Sequence, residues 1–402
     1  MIADRIRQAR LASGLSLEQL SKQLVRSGIQ ITKAGLSNYE RGKRQPAPGI
    51  LRGLSKALGV APTYFICEPG VTIEWLAFRS TKRLGKKRVE EIKACAHLAA
   101  DRAMALFDLM PVASLVEFPK RRRVDTLEEA DRSAADLRSA WEMGEAPVEC
   151  LCQTAEDHGA VVVAFQREAS TAFDGLSGTI NGQRPLLTIN TAMPTDRLRF
   201  NLAHEIGHVL MNSEDLSEKE GELLAHRFAS SLLVPPSVVK QELGERRHAL
   251  SFEELAILKR KHGMSMAAWM YAARAHGIIT QNCYRSLFVE FGRRGWRRQE
   301  PVEYDGKEQP NRFRQLTLRA LAEDLIGWDK AEELCPEISE ARPRDTADVP
   351  VMNAALLRTF PGDLRDRVLQ EVAEVAAHDY ETDSDLTDFE AFGEGDIHEE
   401  QE

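Results

Sequence analysis

The chain has no apolar run long enough to cross a bilayer, which excludes a helical membrane span. Its first residues are polar and helix-forming, without the apolar core and small-residue cleavage site of a secretory leader, so the expected compartment is the cytoplasm. Cysteine is scarce as well. The six present (Cys67, Cys95, Cys150, Cys152, Cys283, Cys335) include no C-x-x-C pair, which argues against a disulfide framework and against a cysteine zinc site and suits free thiols. Cys150 and Cys152 stand too close for a ligand pair and read as helix residues. Residues 379–402 contain no Lys or Arg but 11 acids, which predicts a disordered tail. Such a tail aids solubility, and it can also compete with phosphate for any basic module of the same chain. What remains is ordinary for a globular protein: 402 residues, 43% hydrophobic and 29% charged, enough for two or three domains.

The most specific chemistry lies at His204-Glu-Ile-Gly-His208. Two histidines four apart on a helix project from one face and can reach one Zn²⁺, with Glu205 beside the metal's open position. Leu198, Leu202, Ile206, Val209 and Leu210 supply an apolar face, and Thr195 after Pro194 is the expected cap. A hydrolytic site needs a third protein ligand. Glu222 shares a stripe with Ala225 and Ala229, small residues that let a helix over about 218–233 lie close against the first; Pro235 and Pro236 are expected to end it. Glu214, Glu218 and Glu220 are the alternatives, and His226 fits a residue that orients a ligand. Two histidines and a glutamate suit Zn²⁺, one per chain, although Mn²⁺ or Fe²⁺ can bind such a set.

The N-terminus carries a separate signal. Residues 2–12 form an amphipathic helix closed by Gly14, Ser16 to Gln19 reads as a capping box for a second helix, and Thr32 caps a third over Lys33–Arg41. Two short helices finish near Phe65. Residues 1–60 hold 11 Lys/Arg against three acids, a formal +8 in a chain of net charge −9, the balance that phosphate binding needs.

Both halves resemble known families. Residues 1–65, with Tyr39-Glu-Arg-Gly-Lys-Arg44 after the third helix, resemble the Cro/C1-type (XRE) helix-turn-helix. The resemblance implies double-stranded operator DNA as partner, with Lys33, Ala34 and Asn38 toward base edges and Arg41, Lys43 and Arg44 toward phosphates. The run Arg199–Met211 followed by Glu-x-x-Ala-x-x-Phe-Ala-x-x-Leu-Leu-x-Pro from Glu222 to Pro235 resembles the ImmA/IrrE zinc metallopeptidases. That implies a compact zincin fold, with His204, His208 and Glu222 as ligands, Glu205 as acid/base, and a Cro/C1-type repressor or the chain itself as substrate. His226 stands where that family often has Asn. A regulator whose zincin-like part has become a sensor or interaction module is the alternative.

The expected architecture is multidomain and mainly α. An all-α helix-turn-helix bundle (1–70) is followed by a helical connector and linker (71–123), an α+β zincin-like domain with a small antiparallel sheet (124–280), trailing helices (281–378) and the acidic tail (379–402). Phe78 to Met110 reads as one long helix that extends phosphate contacts, pairs two chains into a homodimer, or simply connects. Pro119 to Arg123 reads as linker, and helices are expected over Thr126–Met143 and Pro147–His158. Ala160–Phe165, Leu176–Asn181 and Arg184–Asn190 have strand length, the last two joined by a hairpin at Asn181-Gly-Gln. The free edge of that sheet would offer an extended substrate main-chain hydrogen bonds beside the metal. No residue is marked as oxyanion donor; Tyr271, His248 and His262 stand unranked. Arg293, Arg294, Arg297 and Arg298 around Trp296 fit a salt-bridged loop or a nucleic-acid contact.

Overall fold

The computed structural model describes residues 2–66, 70–80, 86–110, 118–165, 173–213 and 215–342, with isolated helical positions between 362 and 377. The acidic tail and most of residues 343–378, the end of the region expected as trailing helices, lie outside the described residues. The chain divides into two units, Met1–Glu340 and Ala341–Glu402, and the fold that follows belongs to the first.

Four helices open the chain: α1 (Ile2–Ala12), α2 (Leu17–Arg26), α3 (Lys33–Glu40) and α4 (Pro48–Leu58), closed by a 3-10 turn at Pro62–Phe65. The Ser16/Gln19 capping box and the Thr32 cap form as the sequence predicts. Ile6, Ala9, Leu20, Leu24, Leu36, Tyr39, Leu54 and Phe65 make one small apolar core. The next element departs from expectation. Ile73–Ser80 is a strand, β1, and the long helix α5 starts only at Lys86 and runs to Leu109.

Arg122–Arg123, expected as linker, forms the short strand β2. Then come α6 (Leu127–Ala140), α7 (Leu151–Asp157, with Cys150 as its cap), β3 (Val161–Phe165), β4 (Phe173–Ile180), β5 (Arg184–Asn190) and α8 (Thr195–Leu210). After α8 lie β6 (Met211–Asn212), which pairs with β2, α9 (Glu218–Leu233), α10 (Pro236–Leu243), α11 (Phe252–His262) and α12 (Met266–Ala275). The trailing helices are α13 (Gln281–Arg293), α14 (Arg312–Ala322) and α15 (Trp328–Leu334). Among the described residues no helix is long and apolar enough to cross a membrane.

The fold class stands: mainly helical, with the bundle first and a small sheet before α8. The sheet is mixed instead of wholly antiparallel, in the order β1-β4-β5-β3, with β3 parallel to β5. Asn181 (φ 52°) and Gly182 (φ 68°) turn the β4–β5 hairpin through the left-handed region, as that dipeptide predicts. Every residue of β5 is buried because helices cover both faces. Leu187 and Ile189 point into a core with α6, α8 and α9, while Leu186 joins one with α5, α14 and α15.

One local expectation fails, and another holds with an addition. Thr195 is already the first residue of α8, whose cap is Pro194 and carries no side-chain bond. Pro235 and Pro236 do follow α9, but they also begin α10, since a proline at the first helical position lacks only an N–H that would have no partner anyway.

Candidate metal centre

The helix α8 is fixed at its start by buried charge. Lys259 of α11 bonds Asp196 and Glu300, each at 2.9 Å, while Glu300 also accepts the backbone N–H groups of Met266 and Ala267 at the head of α12. Arg199 is wholly buried against Glu308, whose carboxylate also accepts the N–H groups of Leu151 and Cys152 at the start of α7. A buried ion pair of this kind holds register more than it adds stability. The helix α9 lies against α8 at close range: a Cβ on Gly207 would come within 3.0 Å of the Phe228 ring, and Ala225 and Ala229 are fully buried. On its other side Asp131 of α6 takes both Nε and Nη2 of Arg227, at 2.7 and 2.6 Å.

This packing brings three donors together. His204 Nε2 and His208 Nε2 are 3.0 Å apart, and the Glu222 carboxylate reaches each imidazole with a separate oxygen at 3.4 Å. Donors bound at about 2.0–2.1 Å around a tetrahedral ion stand roughly 3.3 Å from one another, so the spacing fits a small divalent cation. The charge state fits as well. Burial pulls His204 down to about 3, helped by His208 and His226 and opposed by Glu222. Burial alone would push the Glu222 carboxyl up, yet the imidazoles of His204 and His208 hold it well below the usual carboxylate range. A neutral imidazole and a carboxylate converging in this way turn lone pairs toward one point, which a cation satisfies.

Among the described residues, neither of the alternative acids joins the group. Glu220 is exposed and committed to the Ser217 cap, Glu218 is exposed in the first turn of α9, and Glu214 lies outside the described residues. His226 comes nearer than its expected role required: its ring lies 4.7 Å from that of His204 and stacks on Phe200, and donor atoms of His204, Glu222 and His226 fall within 4.8 Å of one another. His208 completes the tighter set.

Glu205 is buried on the sheet side of α8, and sequence reasoning missed what holds it. Ser177 Oγ on β4 donates to Glu205 Oε2 at 2.6 Å, and a Cβ at Gly175 would stand only 2.7 Å from Oε1. A glycine and a serine two apart on one strand face were the available signal, visible only once β4 is known to lie under α8. Among the described residues the strand that touches Glu205 has no free edge, because β4 pairs with β5 on one side and with β1 on the other. Of the oxyanion candidates, His262 is buried against Glu242 at 3.1 Å.

At the other end of the unit, Lys33, Ala34, Asn38, Arg41, Lys43 and Arg44 are all exposed, on α3 and the loop after it. Two basic residues counted with them turn inward: Arg10 pairs with Glu40 at 2.5 and 2.8 Å, and Arg5 with Asp101 at 2.6 Å. Arg294 covers both Trp296 and Phe252 and pairs with Glu290, the salt-bridged-loop reading of that patch.

Comparison with known proteins agrees with this division. Residues 6–65 match the family model described as helix-turn-helix, and residues 155–273 match a peptidase-family model described as IrrE N-terminal-like domain. No curated protein and no solved structure matches the chain.

Proposed function

Taking as premise that this chain fuses an XRE-type helix-turn-helix domain to an IrrE/ImmA-like peptidase domain, we propose that it is a DNA-binding regulator that acts through zinc-dependent proteolysis. The observation that carries this reading is the trio His204, His208 and Glu222 at 3.0–3.4 Å, with a buried carboxylate, Glu205, on the same helix.

The three side chains would hold the ion, and His226, against the His204 ring, would steady that imidazole. A bound Zn²⁺ supplies Lewis acidity, which makes water acidic and a peptide carbonyl electrophilic near neutral pH. The chain's own part is proton handling and placement. Glu205 takes the proton of the attacking water and returns it to the leaving amine nitrogen. Ser177 fixes one oxygen of that carboxylate, and Gly175 leaves it room.

The exposed α3 face, Lys33, Ala34 and Asn38, reads bases, while Arg41, Lys43 and Arg44 meet phosphates. The substrate is a protein, and we favour a repressor brought near by the same operator, or the chain itself. For the domain limits we propose 1–70, 71–123, 124–280, 281–378 and 379–402, with β1 lent to the sheet of the peptidase domain. Glu205→Gln tests the assignment: it keeps zinc and loses cleavage, whereas a fully active variant removes the mechanism.

A second reading, a regulator in which the zincin-like part is a sensor or interaction module, draws support from one observation. The strand that touches Glu205 has both edges paired.

A further inference from the structure

We propose that the outer edge of β4 is the seat of the substrate peptide, and that residues 73–80 of this same chain occupy it and must leave before a substrate binds. The inference rests on the peptidase reading above.

An extended peptide adds to a sheet by main-chain hydrogen bonds to a strand edge. The strand that matters is β4, because Gly175 and Ser177 are its contacts to Glu205. With one edge of β4 joined to β5, the other is the place for an extended chain beside this carboxylate. β1 takes it. Antiparallel to β4, it sets Ala77 opposite Ser177 and Phe78 opposite Leu176, the rungs level with Glu205. It also comes from outside the span that matches the peptidase family, so β3, β4 and β5 form the sheet of that span without it.

The way β1 is held suits an occupant that can be exchanged. At its start the anchoring is firm: Asn181 Oδ1 accepts from Thr72 N at 2.8 Å, and Asn181 N donates to Thr72 O at 2.8 Å. Close seating continues at Gly178, where a Cβ would stand 2.7 Å from the Glu74 carbonyl. Toward Glu205 the ladder becomes irregular, with register shifts between Trp75 and Ala77 and again between Phe78 and Ser80. The weakly specified half therefore lies at the catalytic rung. The strand is also tied to the DNA-binding bundle, since the helix that follows it, α5, packs on α1 through the buried Arg5–Asp101 pair. An active centre whose open form is a minor state shows an affinity for substrate reduced by the fraction open.

The test uses the full chain in three forms: intact; with residues 73–80 replaced by a Gly/Ser segment of equal length; and with Glu74→Cys and Thr179→Cys, which are Cα partners, crosslinked as a disulfide verified by mass spectrometry. The binding probe is a fluorescent synthetic peptide of residues 72–82, read by anisotropy with metal-free protein. It is expected to bind the strand-replaced chain at least about tenfold more tightly than the intact one, and not the crosslinked one. Casein cleavage by the zinc-loaded forms should rise about tenfold on strand replacement and vanish on crosslinking, returning with reductant. No peptide binding to a strand-replaced chain that still melts cooperatively overturns the proposal. Should that chain fail to fold, cleavage unchanged by the crosslink does so. Peptide binding with no cleavage by any form upholds the exchange of strands and overturns the peptidase reading instead.

Discussion

Ser177 on β4 donates its hydroxyl to one oxygen of the Glu205 carboxylate on α8 across 2.6 Å, in the interior of the protein. The bond joins sheet and helix at the carboxylate to which the proposed mechanism gives the proton transfer. Ser177→Ala is expected to leave zinc binding unchanged and to lower kcat about 10- to 100-fold, in the range seen when a group that orients a catalytic residue is lost. Metal analysis alongside turnover separates this from loss of the site. Gly175→Ala should be worse, because its methyl enters the space of the carboxylate.

Acid should weaken the metal-free chain. His204 falls to about 3 through burial, and His276 to about 4 through burial and then the Arg227 charge. Both values lie below the roughly 6.5 of an exposed histidine, so between about pH 6.5 and 4 the unfolded chain binds more protons and stability declines as pH drops. Melting temperature against pH should fall over that window, and His276→Gln should flatten the slope.

Arg10 and Lys43 are both basic residues of the N-terminal bundle, but they should behave differently. The Arg10 guanidinium is buried on Glu40, and Arg10→Ala should destabilise the bundle by about 3–5 kcal/mol, as expected for a broken buried pair. Lys43→Ala should leave stability unchanged, weaken binding to all duplex sequences alike and lower the salt slope by about 1. Lys33→Ala or Asn38→Ala should instead erode discrimination between operator and random DNA. Thermal melts and binding titrations at several salt concentrations distinguish the three outcomes.

Much of this was legible in the amino-acid order, and the parts that were not share a cause. The span of α9, Glu218 to Leu233, followed from a stripe of small residues and two prolines, which are local signals. The convergence of Glu222 on two histidines followed from that stripe. β1 was not legible: Ile-Glu-Trp-Leu-Ala-Phe-Arg-Ser suits strand or helix, and only its pairing with β4, about a hundred residues later in the chain, decides between them. Glu300 and Glu308 escaped for the same reason, since nothing near them marks an acid that caps a distant helix. The inward turn of Arg5 and Arg10 likewise depends on partners at Asp101 and Glu40.

Metal content reports whether one carboxylate and two imidazoles close around a single ion. Protein purified without chelators should carry about one zinc per chain, as a four-coordinate site with three protein ligands requires. Glu205→Gln should retain that zinc, while Glu222→Ala and His208→Ala should lose most of it. Full zinc occupancy in Glu222→Ala, or none in the unaltered chain, would rule out a site built from these three side chains.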